Sequence, residues 1–407
     1  MSEYAQDNRM DRIHSPGIFG GWNMIYKELR SYQWMSVAAD GLYFLSSVGN
    51  GLECYKIMQS MCDIRLSHSQ IGLGLASGLY SAILYYEKKI IFVPRSADSI
   101  GIFDFSTHKW TDVMVPEPVI PYNDNDLYKD SKKFANAFVC GKKVCFIPNR
   151  YPGILVLSMD TLELRVESDW YAEFSRDMLF PGDILFPSGG CTYEGKIYVP
   201  SAQNNRVLEI AGDGIVVNLH SLGQDDTYYS CICGTNSDFW MAGGKKTITK
   251  WDVKQGKITE IEYPQNFQMV GGDNLPPFLD CIRWRQYVIF VPMCSNMFVV
   301  VNTDTNDVQG IPLEENFLKK ENFMTSRFLI GQSKDDSFYM YDNFKQKLLY
   351  VNAEGKVEER YMKTMLEEML ELLKMERAET AGMRNTFSGN NYGKNIYEKC
   401  SKMYGEL

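Results

Sequence analysis

The chain has 407 residues, 45% hydrophobic and 23% charged, with a formal net charge of -9 at pH 7. The acidic balance argues against nucleic acid, which needs a basic surface to displace phosphate counterions. No stretch approaches 18 consecutive apolar residues, so no membrane span is expected.

Residues 1–33 read as an N-terminal arm. Met1 to Arg12 is polar and lacks the apolar core of a secretion signal. Ten cysteines without a CxxC pair then read as reduced thiols, and the expected compartment is the cytoplasm. Phe19 to Leu29 offers an outer strand that would close a ring with the last repeat, in competition with Lys356 to Tyr361.

From Trp34 an aromatic–aliphatic–Pro pattern recurs: Phe92-Val93-Pro94, Phe146-Ile147-Pro148, Tyr198-Val199-Pro200 and Phe290-Val291-Pro292. Degenerate copies stand at Phe44-Leu45-Ser46, Trp240-Met241-Ala242 and Tyr339-Met340-Tyr341. The spacing of about 40 to 55 residues is that of propeller blades. Residues 81 to 113 show the internal plan: strands over Ser81–Tyr86, Lys89–Val93, Ile100–Phe105 and Lys109–Val113, joined by polar turns. The pattern predicts an all-β fold over 34–361, a seven-bladed β-propeller of four-stranded antiparallel blades, with six or eight blades as alternatives.

The runs SGGCTYEGKIYVPSAQNNRVLEI (188 to 210) and KIIFVPRSADSIGIFDFSTHKW (89 to 110) resemble kelch-type blades. The diglycine that such blades place after the second strand stands only at Gly243-Gly244; Pro usually replaces it. The resemblance implies a propeller and assigns no activity, since kelch-like propellers include enzymes and interaction modules.

Loop length picks a face. The turns at Glu87-Lys88, Cys140-Gly141, Glu194-Gly195 and Arg285-Gln286 are short. The connections Leu66–Tyr80, Met114–Phe134, Ser168–Gly190, Glu262–Leu279 and Pro312–Ser326 are long. In a meandering blade the short turns share one rim and the connections share the other with the 2–3 loops. Extended loops on a rigid scaffold carry function, so the long-loop face is the expected binding face. Its 2–3 loops bring Asn50, Arg95, Asn149, Arg150, Asn204, Asn205, Asn296 and Asn343; the connections bring Tyr122, Tyr128, Trp170 and Tyr171. Amides and flat aromatics suit a polar ligand, a carbohydrate among them, or a protein partner. Asn also fills tight loops for conformational reasons alone.

Catalytic signatures are sparse. The four histidines have no metal-ligand spacing, and neither metal nor cofactor is expected. Glu117 with Asp124 and Asp126, and Asp169 with Glu173 and Asp177, are loop carboxylates that an acid–base pair would need. Gly72 and Gly74 sit in a blade connection rather than a βαβ unit, and Cys231, Cys233 and Cys281 fall on first strands as buried thiols. Residues 362–407 change period: Met362, Met365, Leu366, Met369, Leu370 and Leu373 share one face of a helix opposite Glu367, Glu368 and Glu371. This C-terminal helical extension either packs on the disc or docks a partner, including a second copy of the chain. The sequence thus favours a non-catalytic binding or scaffold propeller, with a carbohydrate-active hydrolase or lyase as the alternative.

Overall fold

The computed structural model describes residues 32–38, 41–46, 52–55, 79–107, 109–118, 132–179, 184–187, 189–212, 215–223, 227–244, 246–270, 275–314, 328–332, 336–343, 345 and 347–360. Those residues form seven antiparallel sheets, six of them four-stranded. The second contains Tyr80–Tyr86, Lys89–Pro94, Ser99–Asp104 and Lys109–Met114; the third Phe134–Cys140, Lys143–Pro148, Ile154–Ser158 and Leu164–Glu167. The fourth has Cys191–Tyr193, Lys196–Pro200, Arg206–Ile210 and Val216–Ser221, and the fifth Tyr229–Thr235, Asp238–Gly243, Thr247–Asp252 and Lys257–Glu262. The sixth has Phe278–Trp284, Tyr287–Pro292, Met297–Asn302 and Val308–Pro312, and the seventh Phe328–Gln332, Phe338–Asp342, Lys347–Val351 and Val357–Arg360.

The expected seven four-stranded blades are six. The first sheet has three strands among the described residues, Tyr32–Ala38, Gly41–Ser46 and Leu52–Tyr55. Val357–Arg360 pairs with Lys347–Val351 as the outer strand of the last sheet, so that edge is taken from within its own blade. The Phe19 to Leu29 strand and the C-terminal helix with Met362, Met365, Leu366, Met369, Leu370 and Leu373 lie outside the described residues. The helix that is described is a single turn, Tyr171–Phe174, continued by the 3-10 turn Ser175–Asp177 in the connection after the third sheet.

Local chemistry explains the blades. Two residues separate Tyr86 from Lys89 and Tyr193 from Lys196, and Glu87, Lys88, Glu194 and Gly195 all have positive φ. That left-handed pair matches the twist of an antiparallel hairpin. The third-to-fourth turn is closed by an Asx residue: Asp104 accepts from Ser106 N at 2.7 Å, Asp252 from Lys254 N at 2.9 Å and Asn302 from Asp304 N at 3.0 Å.

The recurring aromatic of each second strand is what the ring buries. Phe44, Phe146, Trp240 and Phe290 are fully buried, and Phe92, Tyr198 and Tyr339 nearly so. Each large apolar side chain so covered contributes about 1.5–3 kcal/mol. Clusters span neighbouring sheets: Ile91 and Ile100 pack with Phe146 and Leu155, Cys145 and Ile147 with Ile197 and Leu208, Trp240 and Ile248 with Phe290 and Val299. Met35 and Phe44 of the first sheet pack with Tyr339 and Leu348 of the last, which closes the ring.

Candidate functional site

In a meander of four strands, the 2–3 loops and the blade connections must share a rim. Backbone hydrogen bonds join them there. Arg95 N donates to Leu79 O at 2.8 Å, Asn149 N to Lys133 O at 2.9 Å, Gly244 N to Tyr228 O at 3.0 Å and Met293 N to Pro277 O at 2.9 Å. A cavity of about 520 Å³ opens on this long-loop face at the centre of the ring, lined by residues from all seven sheets or the loops that adjoin them.

One repeated irregularity aims side chains into it. In the second sheet Tyr80 pairs with Pro94 and Ala82 with Val93, so Ser81 is left over. The same slip leaves out Ala135 in the third sheet, Ser230 in the fifth and Leu279 in the sixth. A bulge adds one residue to a strand and re-aims it. All four extra residues line the cavity.

Arg95 and Lys132 bring positive charge to the wall. Their backbones are held together, since Lys133 N donates to Arg95 O at 2.7 Å. Asn149 lines the same side. Across the ring stands Asp280. One of its oxygens accepts from Cys281 N at 2.8 Å, and burial raises its carboxyl to about 6 despite that hydrogen bond. Its side chain is surrounded by protein but keeps partial access to the cavity. Trp34, Phe134, Tyr228 and Phe328 supply aromatic wall.

The other sequence candidates fall elsewhere. Arg150 is half-buried, and its amide hydrogen-bonds Lys132 O at 3.0 Å. Asn204 is buried, donating to Phe174 O at 3.5 Å; Asn205 donates to Gly223 O at 2.9 Å. Asn296 accepts from Gln268 N and donates to Asn266 O, both at 2.9 Å, and so ties two loops together. Asn343 is half-buried in the turn after the second strand of the last sheet. Trp170 is buried against Phe174 and Phe186, its indole N–H donating to Glu167 O at 3.0 Å, with Tyr171 at its edge. Asn50, Tyr122 and Tyr128 lie outside the described residues.

Of the loop carboxylates, Glu173 and Asp177 both pair with Arg206 and hold the connection to the fourth sheet. Cys231, Cys233 and Cys281 are buried, and burial pushes the Cys281 thiol well up. The residue that sequence reasoning missed is Asp280. Its signal was a lone carboxylate inside the otherwise apolar run Phe278-Leu279-Asp280-Cys281-Ile282.

No known protein family matches the sequence, and no curated protein does. Solved structures do resemble it. A streptogramin B lyase superposes with a TM-score of 0.56 at 15% identity, over 82% of this chain and 95% of that one. The fold is a β-propeller. A catalytically inactive virginiamycin B lyase from Staphylococcus aureus with Quinupristin (TM-score 0.47, 16% identity, 70% and 85% coverage) is a more distant resemblance. BamB from Moraxella catarrhalis is another, with a TM-score of 0.46 and 11% identity over 81% and 87%. At 15% identity the likeness to the streptogramin B lyase shows the propeller fold alone and gives no specific support to the kelch character read from the sequence. Among the described residues no helix is long and apolar enough to cross a membrane.

Proposed function

We propose that this propeller is a non-catalytic binding module that takes a small polar ligand in the central cavity of its long-loop face. One observation carries the reading: Arg95 and Asp280 both line that cavity, and neither charged group is consumed by a salt bridge among the described residues. A cavity of about 520 Å³ is of the size that buries a drug-sized molecule, and a few polar groups on an apolar wall set its orientation. The enzymatic alternative needs two carboxylates facing each other; among the described lining residues Asp280 is the one carboxylate, which supports binding over hydrolysis.

The test is a thermal-shift screen of small polar metabolites against the wild-type chain and Leu279→Trp, which fills the cavity from the bulge position. Ligands that stabilise the wild type should lose their effect on the filled variant. Equal stabilisation of both would place binding elsewhere and defeat the reading.

A further inference from the structure

The two charges of the cavity are not mixed. Arg95 follows the second strand of the second sheet and Lys132 lies in the connection entering the third, with their segments joined by the Lys133–Arg95 hydrogen bond of 2.7 Å. Asp280 belongs to the first strand of the sixth sheet. From the seam between the second and third sheets to the sixth is three and a half steps around a ring of seven, which is half the circle. The positive and negative groups therefore stand on opposite walls. Between them one arc of the lining is apolar, with Trp34, Met35, Phe328 and Leu329, while the other arc mixes Ile184 and Pro187 with Gln203 and Ser230.

Each wall has a defined preference. The Arg95 guanidinium makes no hydrogen bond or ion pair among the described residues, and its planar fork matches a carboxylate. The Asp280 carboxylate accepts from Cys281 N through one oxygen; its other oxygen accepts from no described residue and is left to meet a donor. An ionised carboxylate only accepts, so an ammonium group is its natural complement. An apolar body between the two completes the pattern.

We propose that the central cavity takes a short apolar peptide with free ends, its carboxylate held at Arg95 and its ammonium at Asp280. This rests on the cavity being the binding site, and it adds the class and direction of the ligand. Opposed charges reject the reverse orientation, because a carboxylate brought to Asp280 and an ammonium to Arg95 would each meet a like charge.

The experiment is isothermal titration of the full chain with trileucine, N-acetyl-trileucine and trileucine amide at pH 7.5. Trileucine should bind, and each blocked form should bind at least about tenfold more weakly. Arg95→Gln should lose most of its preference for trileucine over its amide, the remainder coming from Lys132 on the same wall, while still preferring the free amine. Asp280→Asn should bind trileucine and its acetylated form equally, while still preferring the free acid. Circular dichroism and the unfolding midpoint establish that each variant is folded; Arg95→Lys, which keeps the charge, should recover part of the acid preference. Blocked and free peptides binding alike would overturn the assignment. So would the absence of peptide binding while metabolites from the screen are lost on Leu279→Trp, and that outcome leaves the cavity standing. Metabolites held equally by Leu279→Trp would remove the cavity itself.

Discussion

Lys133 holds the loop that carries Arg95. Its amide donates to Arg95 O at 2.7 Å, and its ammonium reaches Ala97 O at 3.1 Å and Asp98 Oδ1 at 3.0 Å. The lysine side chain is only 12% exposed whereas Asp98 is 84% exposed, so the carbonyl contact matters more than the ion pair. Lys133→Met should cost about 1–2 kcal/mol, the loss expected when a hydrogen bond from a charged donor is removed and its buried acceptor stranded. Asp98→Asn should cost less than about 0.5 kcal/mol. Urea unfolding of both variants checks the ranking; an equal loss would mean that the exposed ion pair, not the carbonyl, holds the loop.

Asp280 makes stability fall as the solution becomes more alkaline. Its ordinary value is 3.8 and its folded value about 6, so the folded protein favours the neutral acid. The contribution is fully present below the unfolded value and is lost as pH rises through about 6. The part of that window above pH 5 is about one unit, or about 1 kcal/mol. Wild type should therefore lose about 1 kcal/mol relative to Asp280→Asn between pH 5 and pH 7.5, measured by chemical denaturation. Parallel curves for the two proteins would show that the carboxyl titrates normally.

The blades were legible because their causes are local. Phe92, Phe146 and Phe290 announce buried second strands, and Glu87-Lys88 and Glu194-Gly195 announce hairpins, within a few residues of sequence. The predicted strand Lys89–Val93 is observed as Lys89–Pro94. What was not legible depends on pairing between strands. Nothing in the sequence around Ser81, Ala135, Ser230 or Leu279 marks it as a bulge, since the slip exists only relative to the partner strand. The same limit explains the candidate list. Asn149 and Asn204 occupy equivalent 2–3 loops, yet Asn149 lines the cavity while Asn204 is spent on Phe174 O.

Gly243 stands where other blades place Pro, and its reason is steric. It pairs with Tyr229 beside the bulge, and a Cβ added there would come within 2.0 Å of the Tyr228 carbonyl oxygen. Backbone would have to move, and Tyr228 lines the cavity. Gly243→Ala should cost about 2–3 kcal/mol, as overpacking against an immobile neighbour does. Gly141→Ala is the control: φ is +61° but a Cβ meets nothing within 4 Å, so only about 1 kcal/mol of backbone strain is expected. Thermal unfolding of the two variants should rank them in that order, with Gly243→Ala also weakening any ligand of the central cavity and Gly141→Ala leaving it unchanged.

Glu209 gives the opposite pH slope from Asp280. Its buried carboxylate accepts from Lys196 Nζ at 2.6 Å and lies 2.5 Å from His220 Nε2, whose ring packs 4.7 Å from that of Trp251 on the next sheet. Burial alone would raise this carboxyl, but the hydrogen bonds and charges of Lys196 and His220 together outweigh burial and hold it below its ordinary 4.5. A depressed folded value means stability that is present above the unfolded value and lost as pH falls through the folded one. Glu209→Gln should cost about 1–2 kcal/mol at pH 7, because the amide keeps the shape but not the charge that its two partners answer. The cost should shrink as pH falls below about 4. A loss that stays constant from pH 7 to pH 3.5 would assign Glu209 a packing role alone, and would leave the seam between the fourth and fifth sheets resting on Tyr198, Phe239 and Trp251.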